Sequence, residues 1–305
     1  LLKHITQDED YGLKAMQKAS LAECISMVNN VLPECQKKAY EDGNDNDAGF
    51  FSKMTENYRA LIIDKIKEEN LLWIAYTDLT GYPYMIVIYD FAAAKQIEAD
   101  LNKAGYRVTF GNVDKDAFKT EIAHMYRNGY KKIRFMDGKM EPFVVEREEL
   151  YPYEEFFKDD YITNPGLQAA MLNYFQEFRK QAPLENRGDI LKRREQIMID
   201  MMLNAEYMVP CVKEETEEEV EISHHFIDIT DRVTEKEEGE HVIAIPVFTD
   251  GFEMDKCYEG HHENMLYKFD ELVSLMDELG ASGIIINCLG ISYFMRTALM
   301  KKILK

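Results

Sequence analysis

A cysteine and two histidines crowd one short stretch of the chain: Cys257, His261 and His262. A thiolate and an imidazole are good ligands for zinc and other transition metals. If the stretch is helical, Cys257 and His261 lie one turn apart and share a face. A third ligand would come from His262, Asp255 or Glu263. The same Cys–His pairing is also the minimum for a thiol nucleophile with an imidazole base. Against both readings, Gly260 marks a turn, which would leave the histidines in solvent and the thiol packed. The chain has no C-x-x-C and no H-E-x-x-H. No metal and no cofactor is therefore expected, and the three residues stand only as candidate ligands.

Other reactive residue types are read more plainly. Cys211 and Cys288 lie in or beside apolar runs, where burial raises a thiol's pKa and leaves it inert. His224 and His225 are adjacent, so on a regular strand they face opposite ways and cannot share one ion. No nucleophile elbow, phosphate-cradling glycine loop or dinucleotide fingerprint occurs. No catalytic set is expected. Met198, Met201, Met202 and Met208 cluster, and methionine both fills cores and makes adaptable binding surfaces. Trp73, at a strand start, reads as a core anchor.

The elements that would position these residues run from Val242 to Met295. Val242–Phe248 is short and almost wholly apolar, as in a strand buried on both faces. Pro246 removes one ladder donor from it. Asp250 and Glu253 have capping-box spacing, so a helix should start there. Asn264 then opens a second helical pattern through Leu266, Phe269, Leu272, Val273, Leu275 and Met276, stopped by Gly280. Ile284–Ile286 reads as another buried strand, and Leu289-Gly290 as a turn into a return strand.

These runs carry a resemblance. Ile245-Pro246-Val247-Phe248-Thr249-Asp250, the helices after it, and Gly283-Ile284-Ile285-Ile286-Asn287 with Gly290 resemble the enhanced serine sensitivity (SseB) family. Tyr207-Met208-Val209-Pro210-Cys211-Val212 is similar to an earlier strand of that family. Cys288 departs from the pattern, which has proline there. The resemblance is best over residues 206–305, with a weaker copy over about 55–150. It implies a scaffold and carries no catalytic residues.

The first half repeats the plan. Helical periods cover Ser20–Tyr40, which Pro33 should end or kink, and Phe50–Glu69. Leu71–Tyr76 and Tyr84–Tyr89 read as strands about a Thr80-Gly81-Tyr82-Pro83 turn. A helix to Lys103 and a strand at Arg107–Phe110 follow. A helix from Lys115 closes at Gly129, and a strand pair spans Asp137-Gly138. Ile86–Asp90 answers Pro246–Asp250, and Gly129 answers Gly280. The expected fold is therefore α+β: two tandem, similar domains, each a small mixed sheet with packed helices, arisen by duplication. The expected boundaries are residues 1–152, a linker at 153–163, and 164–305.

The totals set limits. A length of 305 residues suffices for two cores. With 46% hydrophobic residues, wholesale disorder is excluded. A formal charge of −20 repels phosphate backbones and anionic lipid, so neither nucleic acid nor membrane is an expected partner. The opening LLKHITQDEDYG lacks the pattern of a secretory signal, and five scattered cysteines fit a reducing cytoplasm. The expectation is a non-enzymatic cytoplasmic protein that binds a protein or small metabolite, with an oligomer left open. The alternatives are a metal- or thiol-dependent enzyme centred on Cys257 and His261, and an acidic interaction module of the stress or immunity type. The acidic runs Glu214–Glu221 and Glu235–Glu240 would serve the last of these.

Overall fold

The structure, a computed structural model, describes residues 9–70, 72–77, 84–136, 141–158, 161–180, 186–215, 220–234, 236–258 and 263–305. The protein is α+β, with helices packed on small mixed sheets. It divides into two compact units. The first holds residues up to Tyr126 and Tyr130–Phe156; the second holds Arg127–Gly129 and Phe157–Lys305.

The first unit opens with helices α1 (Glu9–Lys18), α2 (Leu21–Ser26), α3 (Leu32–Glu41) and α4 (Asp45–Glu68). Ser20 and Glu23 form the expected capping box of α2. Pro33 does not end the helix: helical backbone continues through Val31 and Leu32 into the first turn of α3, where Pro33 sits, and the irregularity appears just before it as a π-helical turn at Met27–Val31. In α4, Asn44 accepts from the Asp47 N–H, and Met54, Tyr58, Ile62 and Ile66 form the buried stripe.

Next come β1 (Leu72–Thr77), β2 (Tyr84–Ile88), α5 (Phe91–Lys103), β3 (Gly111–Val113), α6 (Lys115–Arg127), β4 (Lys132–Phe135), β5 (Phe143–Glu146) and α7 (Arg147–Leu150). The sheet order is β3-β1-β2-β4-β5. The β2–β4 pair is parallel and the others are antiparallel. The strand expected at Arg107–Phe110 forms later, at Gly111–Val113. The Asn102 side chain takes both Val108 backbone groups, at 3.0 Å and 2.8 Å, and so withdraws them from a ladder. The Thr80–Pro83 and Asp137-Gly138 turns lie outside the described residues.

The second unit comprises α8 (Pro165–Arg179), α9 (Arg187–Leu203), β6 (Glu206–Glu215), β7 (Val220–His224), β8 (Ile227–Asp228), β9 (Ile243–Val247), α10 (Gly251–Asp255), β10 (Asn264–Lys268), α11 (Phe269–Leu279), β11 (Gly283–Ile286), β12 (Tyr293–Arg296) and α12 (Thr297–Ile303). Its described strands form a β10-β6-β7 sheet and a β12-β11-β9-β8 sheet. An antiparallel bridge, Met208 to Phe248, joins β6 to the end of β9. Across that bridge the order β10-β6-β9-β11-β12 parallels β3-β1-β2-β4-β5. The central β9–β11 pair is again parallel, with antiparallel neighbours.

One expectation is corrected here. Asn264–Lys268 is a strand, not the start of a helix. Its residues pair in register with β6, Leu266 opposite Met208 and Tyr267 opposite Tyr207. Leu266 lies three residues before Phe269 and so mimicked the helical stripe, but it stands exposed on the sheet. The helix begins at Phe269, where the Glu271 carboxylate accepts from the Lys268 N–H at 2.7 Å. Helices α8, α9, α11 and α12 cover one face of this unit through Met171, Met202, Leu272 and Met300, packed on Tyr207, Ile245 and Ile284.

No helix among the described residues is long and apolar enough to cross a membrane.

Candidate functional site

In open sheets the place to look for a site is the carboxyl end of parallel strands. In the second unit β9 runs on into Thr249 and Asp250, and β11 into Asn287, Cys288 and Gly290. Several polar side chains are buried at these two ends: Thr249, Asp250, Glu253, Asn287, Gln168 and Arg127.

A neutral network ties the strand ends together. The Thr249 N–H donates to Asn287 Oδ1 at 3.1 Å. Asn287 Nδ2 donates to Thr249 Oγ1 at 2.9 Å, and Gln168 Nε2 donates to the same hydroxyl at 2.7 Å. Asn164 Nδ2 donates to the Thr249 and Glu206 carbonyls, both at 2.7 Å. Asn287 holds φ +50°, a left-handed conformation that asparagine tolerates better than most residues. Its carbonyl accepts from the Gly290 N–H at 2.7 Å and the Ser292 N–H at 2.9 Å.

A charged network lies beside it. Asp250 is the N-cap of α10, and Oδ1 accepts from the Glu253 N–H at 3.0 Å. Arg127 Nη2 donates to Asp250 Oδ1 at 2.8 Å and Oδ2 at 3.0 Å, and to Glu253 Oε1 at 3.2 Å. Lys256 Nζ donates to Glu253 Oε1 at 2.6 Å. Two carboxylates thus meet two cations, which is how charge is tolerated out of water. Burial pushes the Asp250 pKa above its ordinary value, and Arg127 works against that push. Among the described residues Glu253 Oε2 and Arg127 Nε find no hydrogen-bond partner. Glu253 Oε2 sits so close over Gly290 that a Cβ there would collide with it. The Arg127 guanidinium stacks on the Phe252 ring at 4.0 Å, and the Phe252 N–H donates to Tyr161 Oη at 3.3 Å.

Chemically the cluster holds shape. Asp250 has no exposed surface, and its oxygens are used by Arg127 and the helix cap. On the segments that follow β9 and β11, two large apolar side chains are exposed: Phe252 at 38% and Leu289 at 63%. Sequence reasoning found the Asp250–Glu253 cap and the Asn287/Gly290 pattern. It missed Arg127, which is 123 residues from Asp250, beyond the reach of any local spacing.

The candidate ligands fare differently. Cys257 lies on a turn past the end of α10, so the helical spacing assumed for it does not hold there. His261 and His262 lie outside the described residues. Asp255 and Glu263 are exposed. Among the described residues no group of three or more His, Cys, Asp or Glu side chains is placed to hold a metal ion. What Cys257 does meet is Cys288, with Sγ to Sγ at 3.0 Å. His224 and His225 do diverge: His224 Nε2 lies 3.2 Å from Tyr267 Oη, while the His225 ring meets Tyr258 at 5.2 Å.

The first unit holds a cluster the sequence did not suggest. Tyr76 Oη donates to Glu121 Oε2 at 2.6 Å, and His124 Nδ1 lies 3.6 Å from that oxygen. The Glu121–His124 spacing on α6 was the only local signal for it.

No protein-family model matches the chain, and neither does any curated protein or solved structure.

Proposed function

We propose that this chain is a cytoplasmic, non-enzymatic binding protein of the SseB-like type, built by duplication of one α+β unit. Its site is the surface over the carboxyl ends of β9 and β11. The ligand is a protein segment or small metabolite with apolar surface, not a nucleic acid or a membrane. One observation supports this reading: the strand-end charges are engaged with one another, while Phe252 and Leu289, on the segments after β9 and β11, stand exposed. A buried, paired Asp250 is poorly placed for proton transfer, which needs a group within reach of substrate. The matching strand order of the two units supports duplication.

The test is a thermal-shift screen of the full chain against metabolite classes, run beside elemental analysis. A ligand that stabilises the wild type should fail to stabilise Phe252→Ala/Leu289→Ala. Undiminished stabilisation of that variant sinks the site. Stoichiometric zinc or iron, lost on Cys257→Ser, would instead favour the metal- or thiol-dependent enzyme.

A second observation favours the acidic interaction reading. Glu214 and Glu221 sit directly opposite each other across β6–β7, and like charges so placed repel. A basic partner would relieve that repulsion, and its binding must then weaken with salt.

A further inference from the structure

Two of the five cysteines stand apart from the rest. Cys257 lies on the turn after α10, its N–H bonded to the Met254 carbonyl at 2.9 Å. Cys288 follows β11, one residue after Asn287. Their sulfurs are 3.0 Å apart, about one ångström beyond a covalent S–S bond of about 2.05 Å. Both segments are anchored: the first by the Asp250 cap, the second by the bonds of Asn287 to Thr249 and Val247. The approach is therefore a product of two fixed backbones rather than of loose side chains. Cys24, by contrast, donates its thiol to the Met16 carbonyl at 3.3 Å.

We propose that Cys257 and Cys288 form a reversible disulfide site, oxidised by low-molecular-weight disulfides and reduced by the corresponding thiols. The inference is independent of whether the strand-end surface binds a ligand. Cys257 is partly exposed and Cys288 is buried, so the order of events follows. The Cys257 thiolate attacks one sulfur of the external disulfide; its S–S bond breaks and one small thiolate leaves. Cys288 then loses its proton to solvent and attacks the Cys257 sulfur; the mixed disulfide breaks and the second small thiolate leaves. Two protein thiols are oxidised and one external disulfide is reduced to two thiols, so atoms and electrons balance. Burial, and then the hydrogen bond with Cys257, push the Cys288 thiol up to about 12. That suits a resolving thiol acting at close range and not a first nucleophile. The new bond would pin the α10 turn to the Cys288–Gly290 turn, the two segments that carry Phe252 and Leu289.

The experiment equilibrates the full chain in buffers of reduced and oxidised glutathione, quenches with acid, alkylates, and maps peptides by mass. Under oxidising buffer two alkylatable thiols should be lost, with a peptide crosslinked through Cys257 and Cys288, restored by excess reduced glutathione. Amide exchange at residues 256–258 should slow on oxidation. Cys257→Ser, at the more exposed position, should abolish the crosslink while keeping the fold; Cys35→Ser should leave it intact. The proposal is overturned if Cys257 retains glutathione while Cys288 still alkylates. It is equally overturned if both alkylate in buffers that glutathionylate Cys35.

Discussion

Asp90 and Asp250 occupy the same step of the same strand order and live under opposite conditions. Each follows the central strand of its unit, β2 or β9, and caps the next helix. Asp90 is exposed and accepts from the Ala93 N–H at 2.7 Å. The helix it starts, α5, runs 13 residues and lays Ala94, Ile97 and Leu101 over the sheet face formed by Ala75, Ile86 and Ile88. Asp250 is fully buried, and α10 lasts only five residues. So short a helix cannot cover a sheet. The corresponding face, Ala244, Phe248 and Ile285, packs with Met254 of α10 together with Ile227, Ile229 and Val233 from the β8 region. The β7–β8 excursion thus shares that packing with the short helix, while β8 itself pairs beside β9 in the same sheet. The shortened α10 leaves a tight turn that brings Cys257 to Cys288 and encloses a carboxylate that then needs Arg127.

The largest effect that would break or confirm this contrast comes from removing the two aspartates in turn. Asp90→Ala should cost about 1 kcal/mol, the usual loss of an exposed N-cap. Asp250→Ala should cost about 3–5 kcal/mol, because it removes the cap and leaves Arg127 buried with its main partner gone. Denaturant midpoints for the two variants give the comparison directly. Equal losses would show that burial and the Arg127 pair add nothing to the second cap.

The closing glycines give a smaller, graded version. Gly129 follows α6 and Gly280 follows α11, both left-handed, at φ +71° and +63°. Alanine at Gly280 meets open space, so it should cost only the left-handed penalty of about 1–2 kcal/mol. Alanine at Gly129 would also strike the Pro165 carbonyl oxygen and approach the Ala169 Cβ to 2.9 Å. Backbone cannot yield as a flexible side chain does, so the loss must exceed that at Gly280. Differential scanning of the two variants under one buffer decides it, and a smaller loss at Gly129 overturns the argument.

These residues also show what was legible beforehand. Glycines that end helices, the Ser20–Glu23 box and the Asp250 cap are local signals, and the α+β fold followed from them with the apolar strands. Three things were not local. Leu266 fitted a helical stripe and belongs to a strand, because cross-strand pairing with Met208 decides its state and no window on one segment contains that information. Arg127 could be any exposed helix-end arginine until the chain folds it onto Asp250. The Cys257–Cys288 approach joins residues 31 apart, while the spacing that drew notice was the nearer Cys257–His261. Pattern reading finds elements by period and caps by offset; it is blind to which strand end faces which.

The smallest expected effect lies in the excursion itself. His224 ends β7, opposite Cys211 on β6. Burial holds its pKa below the ordinary 6.5; the Pro210 carbonyl and Glu278 work against that, and His225 adds to it. The Tyr267 hydroxyl, 3.2 Å from Nε2, completes its surroundings. The unfolded chain therefore takes up a proton at higher pH than the folded hairpin does. The stability His224 contributes is present above pH 6.5 and is lost as pH falls through the folded value. The ring is partly exposed, so screening keeps the effect under about 1 kcal/mol. Amide exchange followed from pH 7 downward should loosen β6–β7 before β1–β2, and His224→Gln should remove the difference. The β1–β2 connection contains no histidine, so loosening of both hairpins together would assign the acid sensitivity to carboxylates elsewhere, not to this ring.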